Sequence, residues 1–220
     1  MIPENQKETD IRPITNPTKL VNVTPISQGA IGLPTGCESV SASMVLNFYG
    51  YPTTSADFVN NYLDKGPKGY DPEYYFIGSP DDPHSFGCYA PAIAKAMNKI
   101  LDKQLKAEVI KGKTIEYLCN NYIDKGIPVL IWTTINMKDS YLADQWVITT
   151  SDDSSRIGNE FTWRNNEHCL VLIGYNDKDY FVNDPWKTPD KVQGAYEKAL
   201  LQDKYEQMGT QAVVIQNISS

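Results

Sequence analysis

The chain reads as an α+β protein, with helices filling its first half and antiparallel strands its second. Three observations carry this. Apolar residues before about residue 127 recur at helical spacing, as in Val40, Met44, Val45 and Phe48. From Pro128 onward, short β-rich runs separated by turn residues take over. The 220 residues, 41% of them hydrophobic, are enough for one large domain or for two lobes around a cleft.

The elements follow in order. Residues 1–20 are polar and hold three prolines, so they are expected as an N-terminal arm, mobile or lying over the surface. Residues 21–220 form the folded domain, with a helical lobe over about 21–127 and a sheet lobe over about 128–220. Val21-Asn22-Val23 is a short strand candidate. A helix starts at Cys37 and ends near Gly50. Ser55 is read as the cap of a second helix reaching about Lys65, with Asp57 in its first turn. From Gly66 to Gly87 the chain is rich in Gly, Pro, Asp and Tyr without a sustained period, which predicts a long loop of the kind that lines binding sites. Ala90 to Asp102 and Thr114 to Lys125 read as helices, the second stopped by Gly126. Strands are expected at Pro128–Ile135, Glu160–Trp163, His168–Tyr175 and Tyr180–Asn183. The Ser-, Asp- and Thr-rich stretch from Met137 to Gly158 reads as an insertion over one edge of the cleft. A helix from about Pro189 to Gln207 and a strand at Gln211–Ile218 complete the chain, and no internal repeat is visible.

Charge excludes one class of function. The net charge of −7 comes without a Lys/Arg cluster, so nucleic acid as a main partner is excluded for want of a basic footprint. No apolar run approaches the eighteen or so residues of a membrane span. Met1 to Lys7 lacks the apolar core of a signal peptide.

The chemistry centres on Gly36-Cys37-Glu38-Ser39-Val40. A thiol is a useful nucleophile only as thiolate, which a helix N-terminus and a nearby imidazolium favour. Leu33-Pro34-Thr35-Gly36 reads as a turn opening directly into the helix, so Cys37 falls in its first turn. Two histidines are available, His84 in loop composition and His168 at the entry of an apolar strand. A hairpin turned at Asn176-Asp177-Lys178 would return Asp184 alongside His168, where a carboxylate can accept the imidazole N–H and fix its tautomer. Asn183 is the alternative orienter, since strand alternation lets only one of the two face His168. Glu38 opposes a thiolate if it faces inward, so it is expected to turn away or to favour the helix dipole.

The pattern Gln28…Leu33-Pro34-Thr35-Gly36-Cys37-Glu38-Ser39, followed by Met44-Val45-Leu46-Asn47-Phe48-Tyr49-Gly50-Tyr51, resembles the bacteriocin-processing-peptidase-like family. These are bacterial papain-like cysteine peptidases, some of which cut double-glycine leader peptides. The resemblance runs on through Gly87-Cys88-Tyr89, the His168 strand, Asn183-Asp184-Pro185-Trp186 and the closing Met208-Gly209…Ala212-Val213-Val214-Ile215. It implies a papain-like fold, Cys37 as nucleophile, His168 as general base, Asp184 as orienting acid and Gln28 as a donor to the oxyanion hole. It also implies a resting thiolate–imidazolium pair and a peptide or protein substrate lying between the lobes. Leader peptidases of this kind are fused to transporters, and no transporter portion is visible, so leader processing in that coupled form is not supported. Exported relatives point to an extracytoplasmic or secreted location with the leader absent from this chain; a cytoplasmic one is the alternative.

Other readings stay open. The same triad serves acyl transfer or a non-peptide amide, and a catalytically silent binding module would keep the fold with an unreactive Cys37. The four cysteines, Cys37, Cys88, Cys119 and Cys169, are too sparse for a disulfide scaffold. Cys119 and Cys169 read as core residues, while Cys88 is placed near the site by the resemblance. His84-x3-Cys88 with His168-Cys169 matches no common zinc spacing, and no cofactor motif is found. Tyr74, Tyr75, Trp163 and Trp186 are candidate aromatic walls, although core packing is the simpler role for any one of them.

Overall fold

The computed structural model describes residues 9–218. Its frame is an antiparallel sheet whose central strands are almost wholly apolar. In chain order the elements are β1 (Lys19–Leu20), α1 (Cys37–Phe48), α2 (Ser55–Asp57), β2 (Lys65–Gly66), β3 (Phe76–Ile77) and α3 (Ala90–Asn98). Then come β4 (Leu105–Lys111), α4 (Ile115–Asn121), β5 (Val129–Thr134), β6 (Tyr141–Val147) and β7 (Glu160–Asn165). β8 (Glu167–Tyr175), β9 (Asp179–Asn183), β10 (Gln193–Glu197), α5 (Lys198–Gln207) and β11 (Gln211–Asn217) close the chain.

The main sheet runs β10-β9-β8-β5-β11-β4, with β1 also paired to β8. Helix α1 packs mainly on β8, α3 on β4 and α5 on β5. β8 sits near its centre, so Cys169 to Ile173 are buried without exception. Runs buried on both faces lose the alternation of half-exposed strands, which is why 168–175 and 128–135 read as continuous apolar stretches. The residues of β1 pair with Gly174 and Tyr175, and Arg12 exchanges backbone hydrogen bonds with Ala195. Residues 9–20 therefore lie along the sheet. Residues 1–8 of the expected arm are outside the described part.

Helix α1 departs from a simple amphipathic element. Cys37 through Leu46 are all buried, including Glu38, Ser39, Ser41 and Ser43, whereas Phe48 is exposed. Small hydroxyl residues let the helix enter the core because they bond locally: Ser43 Oγ donates to the Ser39 carbonyl at 2.8 Å, and Ser41 Oγ donates to the Cys169 carbonyl at 3.2 Å.

Several expectations need correction. The second helix is capped by Thr54, whose Oγ1 accepts from the Asp57 N–H at 3.0 Å, and Ser55 is its first residue. It covers one turn and passes into a wider π-type turn at Phe58–Tyr62. The third helix stops at Asn98, and strand β4 follows where no strand is expected. β4 pairs with β11 along its whole length, and its Lys106, Glu108 and Lys111 hide it from an apolar count. The expected long helix from Pro189 is strand β10 followed by α5 from Lys198. Gly194 explains the strand: a Cβ there would lie 2.4 Å from Ile11 Cγ1 and 2.8 Å from the Arg12 carbonyl oxygen.

The segment 137–158 forms, with β7, a separate two-stranded ribbon, β6–β7. It is fastened to the 66–87 loop by Asp71, which is fully buried. Asp71 accepts from Arg156 Nε at 2.5 Å and Arg156 Nη2 at 3.0 Å, and from Ser151 Oγ at 2.7 Å. Removing the cation leaves a buried carboxylate without its counter-charge, which is costlier than never having had the pair. Arg156→Ala is expected to lower unfolding free energy by about 3 kcal/mol in urea titration. It should also make the 141–165 ribbon the first site of proteolytic nicking, whereas an unchanged midpoint would mean that this clamp contributes nothing.

Candidate active site

Three elements converge on a cleft of about 450 Å³ whose lining includes Gln28, Cys37, Trp163, Glu167, His168 and Trp186. Cys37 is the first residue of α1, and Gly36 at the cap position offers no side chain to its first-turn N–H groups. Gly36 is required there by space, since a Cβ would lie 2.8 Å from Leu33 Cβ. The sulfur also meets the sheet directly: the Cys169 N–H of β8 donates to Cys37 Sγ at 3.4 Å.

His168, one residue earlier on β8, is fully buried. Its Nε2 lies 2.7 Å from Asp184 Oδ1, so that nitrogen carries the proton toward the carboxylate and Nδ1 is left without a partner. Asp184 follows the end of β9 and is anchored from several sides. Its Oδ1 also accepts the Trp186 N–H at 3.0 Å, and its Oδ2 accepts from Tyr196 Oη at 2.9 Å. Burial by itself would raise its pKa; the facing His168, the bonds from His168 and Tyr196, and Lys187 hold it below the usual carboxylate value. Asn183, the other candidate orienter, points elsewhere and donates to the Val23 carbonyl at 2.9 Å.

Gln28 reaches the cleft through a turn tied to the Asp184 segment. Its backbone N–H donates to the Pro185 carbonyl at 2.9 Å, and Ser27 Oγ donates to the Lys187 carbonyl at 2.7 Å. Its Nε2 donates to the Pro34 carbonyl at 2.9 Å, while Oε1 is buried without a partner. Because a carbonyl faces the amide nitrogen, the orientation of the side chain is fixed and its second N–H remains to be used. Thus the four residues singled out in the sequence, Cys37, His168, Asp184 and Gln28, share one region, with His168 and Asp184 in direct contact. Trp186 meets His168 edge-on at 6.4 Å, and Trp163 forms part of the cleft wall. Tyr74 and Tyr75 are not among the cleft residues; Tyr75 bonds Asp152 at 2.7 Å.

The far side of the sulfur is acidic. Glu38 does not turn away: it is fully buried, and Cys37 Sγ–H donates to its Oε2 at 3.3 Å. Its Oε1 accepts the Cys88 N–H at 2.7 Å. Glu167, next to His168, brings a second buried carboxyl whose Oε1 has no hydrogen-bond partner. Space for both exists because Gly87 (φ +136°) lacks a side chain; a Cβ there would meet Glu38 Oε1 at 2.7 Å and Glu167 Oε2 at 2.8 Å. Burial and then the Glu38 charge push Glu167 well up. Burial also raises Glu38, against the opposing bonds from its own N–H, the Cys88 N–H and Cys37. For Cys37, burial followed by Glu38 and Glu167 raises the thiol well above its usual value, opposed by the Cys169 N–H. Cys37 thus bonds Glu38 rather than His168, in surroundings that disfavour the thiolate of the expected thiolate–imidazolium pair. The signal for this was present in Gly87 and in a carboxyl on each side of the Cys/His pair, but only the fold brings the two glutamates together.

Cys37 opens a helix, and His168 on β8 meets Asp184 just past the end of β9; comparison with known proteins identifies the fold that carries them as papain-like. Residues 20–213 match the Peptidase_C39 like family, and the chain belongs to it. It is 30% identical over 198 residues to the uncharacterized protein YvpB of Bacillus subtilis (strain 168), covering 82% of this chain and 69% of that one. A Bacillus anthracis protein named as a C39-like peptidase superposes with a TM-score of 0.74 at 25% identity, over 92% of this chain and 99% of that one. The double glycine motif protease of an AMS/PCAT transporter, solved with its leader peptide, shares the fold at a TM-score of 0.53 and 17% identity, over 95% of this chain and 100% of that one.

The raised Glu167 carboxyl has a consequence for stability. A group whose folded-state pKa lies above its unfolded value keeps its proton in the native state after the unfolded chain has lost it, so native stability falls as pH rises through that window. The neutral isostere Glu167→Gln is free of this loss. We expect it to match the wild type near pH 4 and to exceed it in denaturant midpoint at pH 8; equal slopes of stability against pH would mean that Glu167 titrates normally.

Proposed function

We propose that this protein is a thiol hydrolase, a cysteine peptidase that cleaves a peptide amide through a Cys37 thioester. The observation that supports it most is the His168–Asp184 pair at 2.7 Å, which orients a histidine with a free Nδ1 in the cleft that also holds a helix-start cysteine. In this reading the Cys37 side chain swings from Glu38 to His168 when substrate fills the cleft. His168 takes the thiol proton, and the thiolate attacks the carbonyl carbon. The oxyanion is met by the Cys37 N–H at the uncapped start of α1 and by the second N–H of Gln28 Nε2. The imidazolium, stabilised by Asp184, returns the proton to the leaving amine. The same imidazole then activates water to release the acid and restore the thiol. The peptide substrate rests on the open cleft with its Trp163 and Trp186 walls; acyl transfer or a non-peptide amide would use the same steps with a different acceptor or acyl group.

One observation favours the silent binding module as a second reading: the thiol is bonded to the buried Glu38 carboxyl and raised rather than lowered. The two readings part in a single experiment. A degenerate peptide mixture is incubated with the protein and with Cys37→Ala, and new amino termini are read by mass spectrometry. The peptidase reading predicts new termini in the wild type only, with Gln28→Ala slowing kcat about 10²–10³-fold and Asp184→Asn by up to about 10⁴-fold. New termini that are equal in Cys37→Ala, or none in either protein, leave the binding module.

A further inference from the structure

We propose that Cys37, Glu38 and Glu167 form a binding site for a zinc-like divalent cation, which when occupied blocks the nucleophile. One ligand atom from each residue lies within 4.8 Å of the other two. The Cys37 Sγ to Glu38 Oε2 separation is 3.3 Å. Tetrahedral zinc, with Zn–S of about 2.3 Å and Zn–O of about 2.0–2.2 Å, sets its sulfur and oxygen ligands about 3.5 Å apart, so this edge already has the length that the ion requires.

Three further features point to a ligand rather than to a chance acidic cluster. Glu167 is more than nine-tenths buried, and its Oε1 has no hydrogen-bond partner, although its carboxylate is within reach of both other ligands. The Cys88 N–H holds Glu38 through the oxygen that does not face the sulfur, and the Cys169 N–H donates to the sulfur itself. Backbone donors that orient ligands in this way are the usual outer shell of a metal site. Finally, the Cys88 N–H and the Cys37 thiol that meet Glu38 are neutral donors, so protons or a shared cation would balance the cluster. Cys37 and Glu167 both line the cleft, which gives the ion its entry path and leaves a fourth position for water.

Binding forms Zn–S and Zn–O bonds and releases to solvent the thiol proton and any proton held by the carboxyls, with no change of oxidation state. A metal-held sulfur cannot attack a carbonyl, so the site would make the hydrolase responsive to free zinc. That consequence rests on the peptidase reading; the binding itself does not.

The test uses cobalt(II) as the probe on the reduced full chain, followed by displacement with zinc. Wild type is expected to show the near-ultraviolet thiolate-to-cobalt absorption, which Cys37→Ser and iodoacetamide-treated wild type lack. Glu38→Gln and Glu167→Gln, checked for folding by circular dichroism, are each expected to weaken zinc at least about tenfold, and His168→Ala less than about threefold. The proposal is overturned if wild type gives no such band. It is also overturned if His168→Ala abolishes binding while both glutamine variants retain it, which would put the ion on the Cys–His pair. Metal binding without peptide cleavage would retain this site and refute the peptidase reading, whereas cleavage without metal binding would do the reverse.

Discussion

Everything at this site depends on how closely the first turns of α1 press against β8. The contact is made by backbone as much as by side chains: the Cys169 N–H reaches Cys37 Sγ and the Cys169 carbonyl accepts from Ser41 Oγ. Larger residues at Ser39, Ser41 or Ser43 would hold the helix away from the strand, because all three are fully buried in a packed interior where added volume forces displacement. The sulfur is thereby fixed at the end of a strand that carries Glu167 and His168 in succession. One close approach between a helix and a strand brings Cys37, His168 and Glu167 to a single cleft.

The consequence is a cysteine between two opposed environments. On one side stands a histidine whose far nitrogen is committed to Asp184, itself held by Tyr196 and the Trp186 N–H. On the other stand two buried carboxyls that disfavour negative charge on the sulfur. Burial costs a lone thiolate heavily and an ion pair much less, so in the proposed reaction the thiol gains its reactivity where it meets the imidazole. Gln28 belongs to the same design, since its turn is bonded to the Asp184 segment through Pro185 and Lys187.

Much of this was legible in the sequence, for definable reasons. The helix start at Cys37, the β8–β9 hairpin and the partnership of His168 with Asp184 follow from local turn chemistry and from strand geometry. The papain-like α+β architecture followed from the order of elements together with the family resemblance. What stayed hidden was set by distant contacts. β4 carries charged residues at Lys106, Glu108 and Lys111 and becomes a strand by pairing with β11. β10 is a strand because residues 11–12 pack against Gly194. Helix rules alone turn a charged first-turn residue such as Glu38 outward. The fold overrides them by supplying the Cys88 N–H and the space above Gly87.

The central proposal is that Cys37 is a nucleophile governed by His168. The most direct measurement is the rate of iodoacetamide alkylation of each cysteine against pH, by peptide mass mapping, in wild type and in His168→Ala. The account predicts that Cys37, the cysteine that lines the cleft, reacts ahead of Cys88, Cys119 and Cys169, and that its rate falls in the mutant. A Cys37 that is no more reactive than those three, or equally reactive without His168, would contradict it.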